Sequence, residues 1–374
     1  MKMLRVYGFP AAALALFAAL TLWAGDAAQA AREGLTLSLR TAVPALFPFF
    51  VAGALLTHSG LAELVGRALA RPVWMLYGLN GNCAAALVLG LAGGYPVGAQ
   101  AACELYRAEL ISKRDAELLL GFCNNSGPAF ILGVAGVAVC GSARTGAALY
   151  AIHALAALLT GLVLTPPPPK GVRAPAPRHA AHSTLSPAAA LVAAVRDGFG
   201  IAINVTAFVT FFSVALALLR RTGVLRAFAH ALSPVLALLG APAGTADALA
   251  AGAVELTNGL AALPALHLPP HVLLPLVSFL LGFGGLSVHC QTLSLLQGCG
   301  LRARRHTLGK ALHGVIAAAL AVIWCRAAPS SLPVFAPAAP PSATAALVPG
   351  LVVLSVIVIR LLRKGSGKAR SNPL

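Results

Sequence analysis

The chain has 374 residues, of which 59% are hydrophobic and only 10% are charged, whereas about 25% of an ordinary globular chain is charged. A soluble protein of this length needs far more charge at its surface, and the high apolar content also excludes a disordered chain. The net charge of +17 comes from 27 basic and 10 acidic residues. The basic residues lie in short clusters between apolar stretches, so we expect a lipid bilayer as partner and no nucleic acid.

The first apolar stretch covers residues 6–24 and follows two basic residues, Lys2 and Arg5. Its length favours a retained transmembrane helix. The sequence Ala-Gln-Ala at 28–30 also fits a signal-peptide cleavage site, so a cleaved leader is the alternative. We therefore predict that residues 1–34 form an N-terminal transmembrane helix or signal anchor.

Nine further apolar stretches follow, and five of them are long enough to cross a bilayer without interruption. These five cover residues 35–56, 147–164, 198–219, 309–325 and 343–362. Glycine or proline interrupts the other four, which cover residues 74–97, 116–140, 234–263 and 272–299. Transporters use such interruptions to unwind the backbone at membrane depth, where its amide and carbonyl groups can face a solute.

Loop charges predict that both termini are cytoplasmic and that 74–97 and 234–263 are re-entrant hairpins. In this topology Arg220, Arg221 and Arg226 fall on the opposite side from the other basic clusters. The cytoplasmic clusters are Arg67 and Arg71; Arg107, Lys113 and Arg114; Lys170, Arg173 and Arg178; Arg302, Arg304, Arg305 and Lys310; and Arg363, Lys364, Lys368 and Arg370.

The chain also contains an internal repeat. At an offset of 162 residues, Phe49-Phe50 aligns with Phe211-Phe212 and Pro72-Val73 aligns with Pro234-Val235. The count of spans places the second copy upside down relative to the first, as in secondary transporters built from inverted repeats. The predicted domains are a first repeat at 35–164, a Pro-rich cytoplasmic linker at 165–197, a second repeat at 198–325, and a loop, transmembrane helix and basic tail at 326–374.

Four polar segments interrupt the apolar background at equivalent places in the two repeats: 93–98, 123–128, 255–259 and 282–287. Polar side chains are costly in hydrocarbon unless they find partners, so we expect the four segments to meet around a polar solute. Small polar residues that pack helices together are the alternative interpretation. The candidate solute contacts are Gly94, Tyr95, Asn124, Asn125, Ser126, Gly127, Thr257, Asn258, Ser287 and Gln291.

Three positions in these segments suggest specific chemistry. Glu255 is the acid in the middle of a predicted membrane segment, so we predict a coupling or gating residue that carries a proton or binds a cation. A protonated structural acid bonded to Asn258 or to a backbone carbonyl is the alternative. His289 is a candidate proton relay or solute donor, with a satisfied interior histidine as the alternative. Gly127-Pro128 predicts a helix that restarts at the proline and offers free N–H groups to a carboxylate or phosphate.

No sequence pattern predicts catalysis, a metal site or a cofactor. The chain has no Ser-His-Asp order, phosphate loop or zinc signature. Its seven cysteines form no CxxC pair, and most lie inside apolar stretches as small buried hydrophobes. We therefore expect a protein that is not an enzyme and that binds no metal or cofactor.

Four strings carry a resemblance to a known family: GGYPVGA (93–99), CNNSGPAFILGVAG (123–136), ELTNG (255–259) and GFGGLSVHCQ (282–291). They resemble the sporulation integral membrane proteins of the YlbJ, or stage V sporulation protein V, family, and the resemblance covers about residues 35–325. Such proteins carry the nucleoside recognition, or Gate, domain, which is similar to the core of concentrative nucleoside transporters. The resemblance implies an all-α integral membrane protein of two inverted repeats, with re-entrant hairpins and unwound helices around the solute.

The same resemblance implies a role in endospore formation, in the cell membrane and the outer forespore membrane. Its members are held to move dipicolinic acid from the mother cell towards the spore. We therefore expect transport of dipicolinate, a flat pyridine with two carboxylates, with a proton or cation as coupling partner. Glu255 would repel a bound dianion unless it is protonated or binds the co-transported cation. The alternatives are a nucleoside or purine carrier and a non-transporting scaffold for sporulation.

Overall fold

A computed structural model of the chain describes residues 2–168, 185–238 and 240–327. The regular structure of these residues is helical. The helices are α1 Lys2–Leu22, α2 Ala24–Leu37, α3 Val43–His58, α4 Leu61–Tyr77, α5 Cys83–Gly93, α6 Val97–Arg107, α7 Lys113–Leu119, a π-helix Phe130–Val139, α8 Ala143–Leu164, α9 Pro187–Arg221, α10 Val224–Leu238, α11 Thr245–Val254, α12 Leu256–Ala262, α13 Pro270–Phe283, α14 Gly285–Gln297 and α15 Arg304–Ala327. A π-helical turn, Ser38–Ala42, joins α2 to α3, and a short 3-10 turn, Pro264–Leu266, follows α12.

The order of these elements repeats. Each repeat has a long helix (α3 or α9), a second helix (α4 or α10), a hairpin of two short helices, an interrupted helix and a final long helix (α8 or α15). The hairpins are α5–α6 and α11–α12; the interrupted helices are α7 with the π-helix, and α13 with α14. Helix α11 begins 162 residues after α5 (245 − 83), and α15 begins 161 residues after α8 (304 − 143). The predicted fold class, all-helical with two inverted repeats, hairpins and unwound helices, is confirmed.

Five helical stretches of the described residues are long and apolar enough to cross a membrane: Ala24–His58, Ala143–Leu164, Pro187–Arg221, Pro270–Gln297 and Arg304–Ala327. They contain the predicted spans 35–56, 147–164, 198–219 and 309–325. The apolar part of α1, Tyr7–Leu22, is shorter than the roughly 20 residues that a spanning helix needs. The predicted span 343–362 lies outside the described residues.

Helix α9 begins earlier than the sequence predicts. Ser186 caps it by accepting a hydrogen bond from the backbone N–H of Ala189 (3.3 Å), and Pro187 occupies the first helical position. Both features are typical of a helix start. The predicted linker 165–197 is therefore too long at its C-terminal end, because 187–197 are the first three turns of α9. The sequence of these turns is rich in alanine, which has a high helix propensity.

Helix α9 ends at the basic cluster that the predicted topology places opposite the others. Its 35 residues span about 52 Å at 1.5 Å per residue, well beyond the roughly 30 Å of a hydrocarbon core. Relative to the predicted span 198–219, most of the additional length lies at the N-terminal end, and Arg221 is the last residue of the helix. The guanidinium of Arg221 forms an ion pair with Asp26 at the start of α2, with an N–O distance of 2.8 Å.

Two groups of long helices enclose the shorter elements. Helix α9 packs along α2 and α3, whereas α15 packs along α13 and α8. Each hairpin tip touches the interruption of its own repeat, backbone against backbone. Gly94 has φ +83°, and a Cβ there would lie 2.7 Å from the Gly127 nitrogen. Gly285 has φ +75°, and a Cβ there would lie 3.1 Å from the Leu256 nitrogen. Both positions therefore require glycine.

Candidate solute site

The two hairpin tips, the interruption of the first repeat and helix α14 surround one cavity. Its space for water-sized molecules is about 50 Å³, which holds a few waters at about 10–15 Å³ each. The cavity must therefore widen before it can admit an aromatic ring. The lining residues from three of the four polar segments and from α14 are Gly93, Gly94, Tyr95, Ser126, Gly127, Glu255, Leu256, Thr257, Val288 and Gln291; those from the surrounding helices are Ala42, Leu46, Phe130, Val205 and Val209.

The structure divides the predicted contacts into two sets. Six of the ten predicted solute contacts line the cavity, and so does the predicted gating residue Glu255. The six are Gly94, Tyr95, Ser126, Gly127, Thr257 and Gln291. Among the described residues, Asn124, Asn125, Asn258, Ser287 and His289 do not line it.

The interruption of the first repeat contains three polar side chains in sequence, and all are buried. The Asn124 amide donates to the Thr292 hydroxyl of α14 (2.9 Å), and the Asn125 amide donates to the Phe122 carbonyl (2.9 Å). The side-chain oxygens of Asn124, Asn125 and Ser126 have no partner among the described residues. Because buried polar atoms nearly always have a partner, these oxygens indicate bound water or a solute at this place.

The tip of the second hairpin is held by Glu255 and Asn258. One carboxylate oxygen of Glu255 accepts from the backbone N–H of Asn258 (2.7 Å) and from its amide (2.9 Å), which caps α12. The Asn258 amide also donates to the Ser213 hydroxyl of α9 (2.8 Å). Asn258 therefore orients Glu255 and ties the hairpin to α9, while Glu255 itself faces the cavity.

Tyr95 connects the two repeats at the cavity wall. Its hydroxyl donates to the Leu281 carbonyl near the end of α13, with an O–O distance of 3.0 Å. On the other side of its ring, the Lys310 ammonium lies 4.8 Å from the ring centroid. The first hairpin is thus fixed to the interrupted helix of the second repeat.

Lys310 is a site residue that the sequence did not identify. We predicted it in a cytoplasmic cluster with Arg302, Arg304 and Arg305, and this prediction is wrong because Lys310 is fully buried. It lies on the same face of α15 as His306 and His313, which are four residues before it and three after it. The sequence signal that could have identified Lys310 was the helical spacing of these polar residues within an apolar stretch.

The fold and the cavity together define an integral membrane protein with the fold of the concentrative nucleoside transporters. A variant of the transporter CNTnw in the intermediate 3 state superposes with a TM-score of 0.55 and 15% identity, over 88% of this chain and 87% of that one. A second CNTnw variant, in an outward-facing state, gives a TM-score of 0.55 and 13% identity over 87% of both chains. Identities this low show the fold alone.

Sequence comparison narrows this class. Residues 39–166 match the Gate family, described as nucleoside recognition, and this range coincides with the first predicted repeat. Over 318 residues the chain is 28% identical to the sporulation integral membrane protein YlbJ of Bacillus subtilis (strain 168), which covers 79% of this chain and 76% of YlbJ. The resemblance that the four strings indicated is confirmed: residues 39–166 match the Gate family, and the chain is similar over most of its length to a sporulation integral membrane protein.

Proposed function

We propose that this protein transports dipicolinate from the mother cell across the outer forespore membrane of an endospore-forming bacterium. The observation that carries the proposal is the cavity between the two hairpin tips, the first interruption and α14 in a transporter fold. The buried Ser126 hydroxyl lines this cavity and has no partner among the described residues. The similarity to YlbJ supports sporulation as the setting.

The composition of the cavity suits a flat ring with polar ends. Leu46, Phe130 and Val205 offer apolar surface to the faces of a pyridine ring, because ligand sites combine apolar walls with a few placed polar groups. Ser126, Thr257 and Gln291 offer hydroxyl and amide donors to carboxylate oxygens. Glu255 repels a dianion unless it binds the coupling proton or cation, so we assign it the coupling role.

The charge pattern supports an orientation for the proposed transport. From the basic loops and the positive-inside rule we infer that both termini are cytoplasmic when the N-terminal helix is retained. In the outer forespore membrane this side faces the mother cell, where dipicolinate is made. Removal of the N-terminal helix would not alter the orientation of the rest of the chain.

A nucleoside or purine carrier is the second candidate, favoured by the Gate domain match and by the transporter fold. The apolar walls and amide donors that suit a pyridine also suit a nucleobase. A non-transporting scaffold is the third candidate, and it does not explain the unpartnered polar atoms at the cavity. Each of the three predicts a different spore phenotype.

The dipicolinate content of spores tests the proposal in the cell. A deletion strain is expected to complete engulfment and form spores of normal shape that lack dipicolinate, while the mother cell still synthesises it. Complementation with the intact gene restores the content. Spores with normal dipicolinate contradict the proposal and favour the nucleoside carrier, whereas arrest at a morphological stage favours the scaffold.

A further inference from the structure

Five basic side chains lie together next to the solute cavity, and all are buried. Lys310, His306 and His313 belong to α15, His153 belongs to α8 and His289 belongs to α14. The rings of His153 and His313 are 4.4 Å apart, and those of His289 and His306 are 5.1 Å apart, between centroids. No carboxylate of the described residues is in ion-pair contact with Lys310.

Hydrogen bonds orient the two histidines closest to Lys310. His153 accepts at Nε2 from the backbone N–H of Ser126 (3.0 Å), so its ring is neutral, since an imidazolium has no acceptor nitrogen. His313 donates through Nε2 to the His153 carbonyl (3.0 Å), and its Nδ1 lies 3.3 Å from the Lys310 nitrogen. An ammonium at Lys310 donates to this Nδ1, which makes the His313 ring neutral as well.

Lys310 is held by neutral groups in three directions. Its ammonium donates to the Asn124 carbonyl (3.0 Å) and to His313, and it lies over the face of Tyr95. These contacts use two of the three N–H groups of an ammonium and present a ring face to the charge, and none of the three partners is an anion. A fully buried cation without an anionic partner is costly at membrane depth, so its presence requires an explanation.

The position of Lys310 relative to the cavity supplies that explanation. Tyr95 lines the cavity, and Asn124 lies two residues before Ser126, which lines the same cavity. Lys310 thus lies behind two walls of the cavity, separated from a solute by one layer of protein. Electrostatic attraction acts across such a layer because the surroundings screen it weakly.

We propose that Lys310 is a specificity-determining residue whose buried positive charge makes the cavity select anionic, carboxylate-bearing solutes over neutral ones. This inference rests on the proposed function, because it names the charge class of the solute at the same site. Lys310 acts as a positioning residue without touching the solute. A merely structural lysine, needed only to bind the Asn124 carbonyl, would leave charge selectivity unchanged.

Equilibrium binding of two isosteric solutes to the purified full-length protein tests this inference. The solutes are dipicolinate and its neutral dicarboxamide, which shares the ring and lacks the charge. The variants are Lys310→Met, Lys310→Gln, which retains a donor for the Asn124 carbonyl, and Lys310→Arg, which retains the charge. Lys113→Met is the matched control, because Lys113 is an exposed lysine of α7.

The unmodified protein is expected to bind dipicolinate more tightly than the dicarboxamide. In the Met and Gln variants, the ratio of the affinity for dipicolinate to that for the dicarboxamide should fall on the order of tenfold. This is the effect of one charge within roughly 10 Å at an effective dielectric of about 20. Their affinity for the dicarboxamide should change by less than about twofold, since a neutral solute gains little from the charge. Lys310→Arg and Lys113→Met should keep the preference.

Two results overturn the inference while transport of dipicolinate stands. One is an undiminished preference for dipicolinate in Lys310→Met or Lys310→Gln. The other is equal affinity of the unmodified protein for both solutes, which decides the matter even if every neutral variant fails to fold. If the protein binds nucleosides but neither dipicolinate nor the dicarboxamide, both the proposed function and the inference are contradicted.

Discussion

At the scale of single residues, the polar side chains of the interruptions either face the cavity or hold the backbone. Ser126 and Gln291 line the cavity, whereas Asn124 and Asn125 use their amides on Thr292 and on a backbone carbonyl. An unwound segment frees carbonyl groups that need donors at membrane depth, and asparagine supplies them. Sequence reasoning found these positions because they are polar in an apolar chain. Sequence reasoning did not show which of these side chains face the cavity and which bond to neighbouring groups. In an unwound segment the directions of successive side chains have no regular periodicity.

Gln291 provides a test of the cavity with a matched control on the same helix. Gln291→Ala removes a buried amide that lines the cavity, whereas Gln297→Ala makes the same change at an exposed position of α14. Loss of a hydrogen bond to a charged group costs about 1.5–3 kcal/mol, so the apparent affinity for dipicolinate should fall roughly ten- to hundredfold. Uptake kinetics in liposomes measure it. Equal kinetics for the two variants would remove Gln291 from the site.

Glu255 allows coupling to be separated from binding. Glu255→Gln keeps an oxygen that can accept from the backbone N–H of Asn258, and so preserves the cap of α12, but it removes the ionisable group. We expect exchange of labelled for unlabelled dipicolinate to continue, and accumulation driven by a proton gradient to be lost. Both are measured in the same liposome preparation. Accumulation at the unmodified rate would show that Glu255 serves only as a helix cap.

At the scale of elements, the contact between each hairpin tip and the interruption of its own repeat shapes the cavity. Gly94 reaches the Gly127 backbone and Gly285 reaches the Leu256 backbone, and both glycines have positive φ. Both repeats therefore have a glycine at this contact, on the hairpin tip in the first repeat and on the interrupted helix in the second. The sequence predicted both interruptions from their glycines. The contacts between them involve residues about 30 apart in the chain, so no local pattern could reveal them.

Gly94→Ala should disrupt the first of these contacts. The substitution forces a side chain into a left-handed conformation and towards the Gly127 nitrogen, at a cost of about 1–3 kcal/mol. We expect a lower melting temperature in detergent and at least a tenfold loss of uptake. Gly200→Ala is the control, because a Cβ there meets no atom within 4 Å and helix α9 gains from alanine. A Gly94→Ala protein as stable and active as the control would contradict the packing described for the tip.

At the scale of the whole molecule, the sequence predicted the architecture better than the site. The 162-residue offset predicted the order of the helices, because apolar length and chain breakers are local properties that both repeats share. Lys310 shows the opposite case. Its burial depends on α15 packing along α13 and α8, while its sequence neighbours Arg304 and Arg305 indicate a surface loop. The end of the linker was misplaced for a related reason, since residues 187–197 belong to the regular helix α9.

The arrangement of charge across the cavity follows from the same packing. The second hairpin contributes Glu255 to the cavity, while α15 places Lys310 behind the first hairpin and the first interruption. In the proposed transport, an anionic solute would lie between Lys310, one layer of protein away on one side, and the acid Glu255 on the other. With a proton or cation at Glu255, both sides favour the anion. This asymmetry fits coupled movement of a carboxylate solute.

Uptake by purified protein in liposomes tests the central claim most directly. Labelled dipicolinate, a nucleoside and a purine base are supplied in turn, with and without a proton gradient. The account predicts that dipicolinate accumulates in the liposomes, that the gradient increases its accumulation, and that the two neutral solutes remain at the level of protein-free liposomes. Accumulation of the nucleoside without dipicolinate, or of no solute at all, would contradict it.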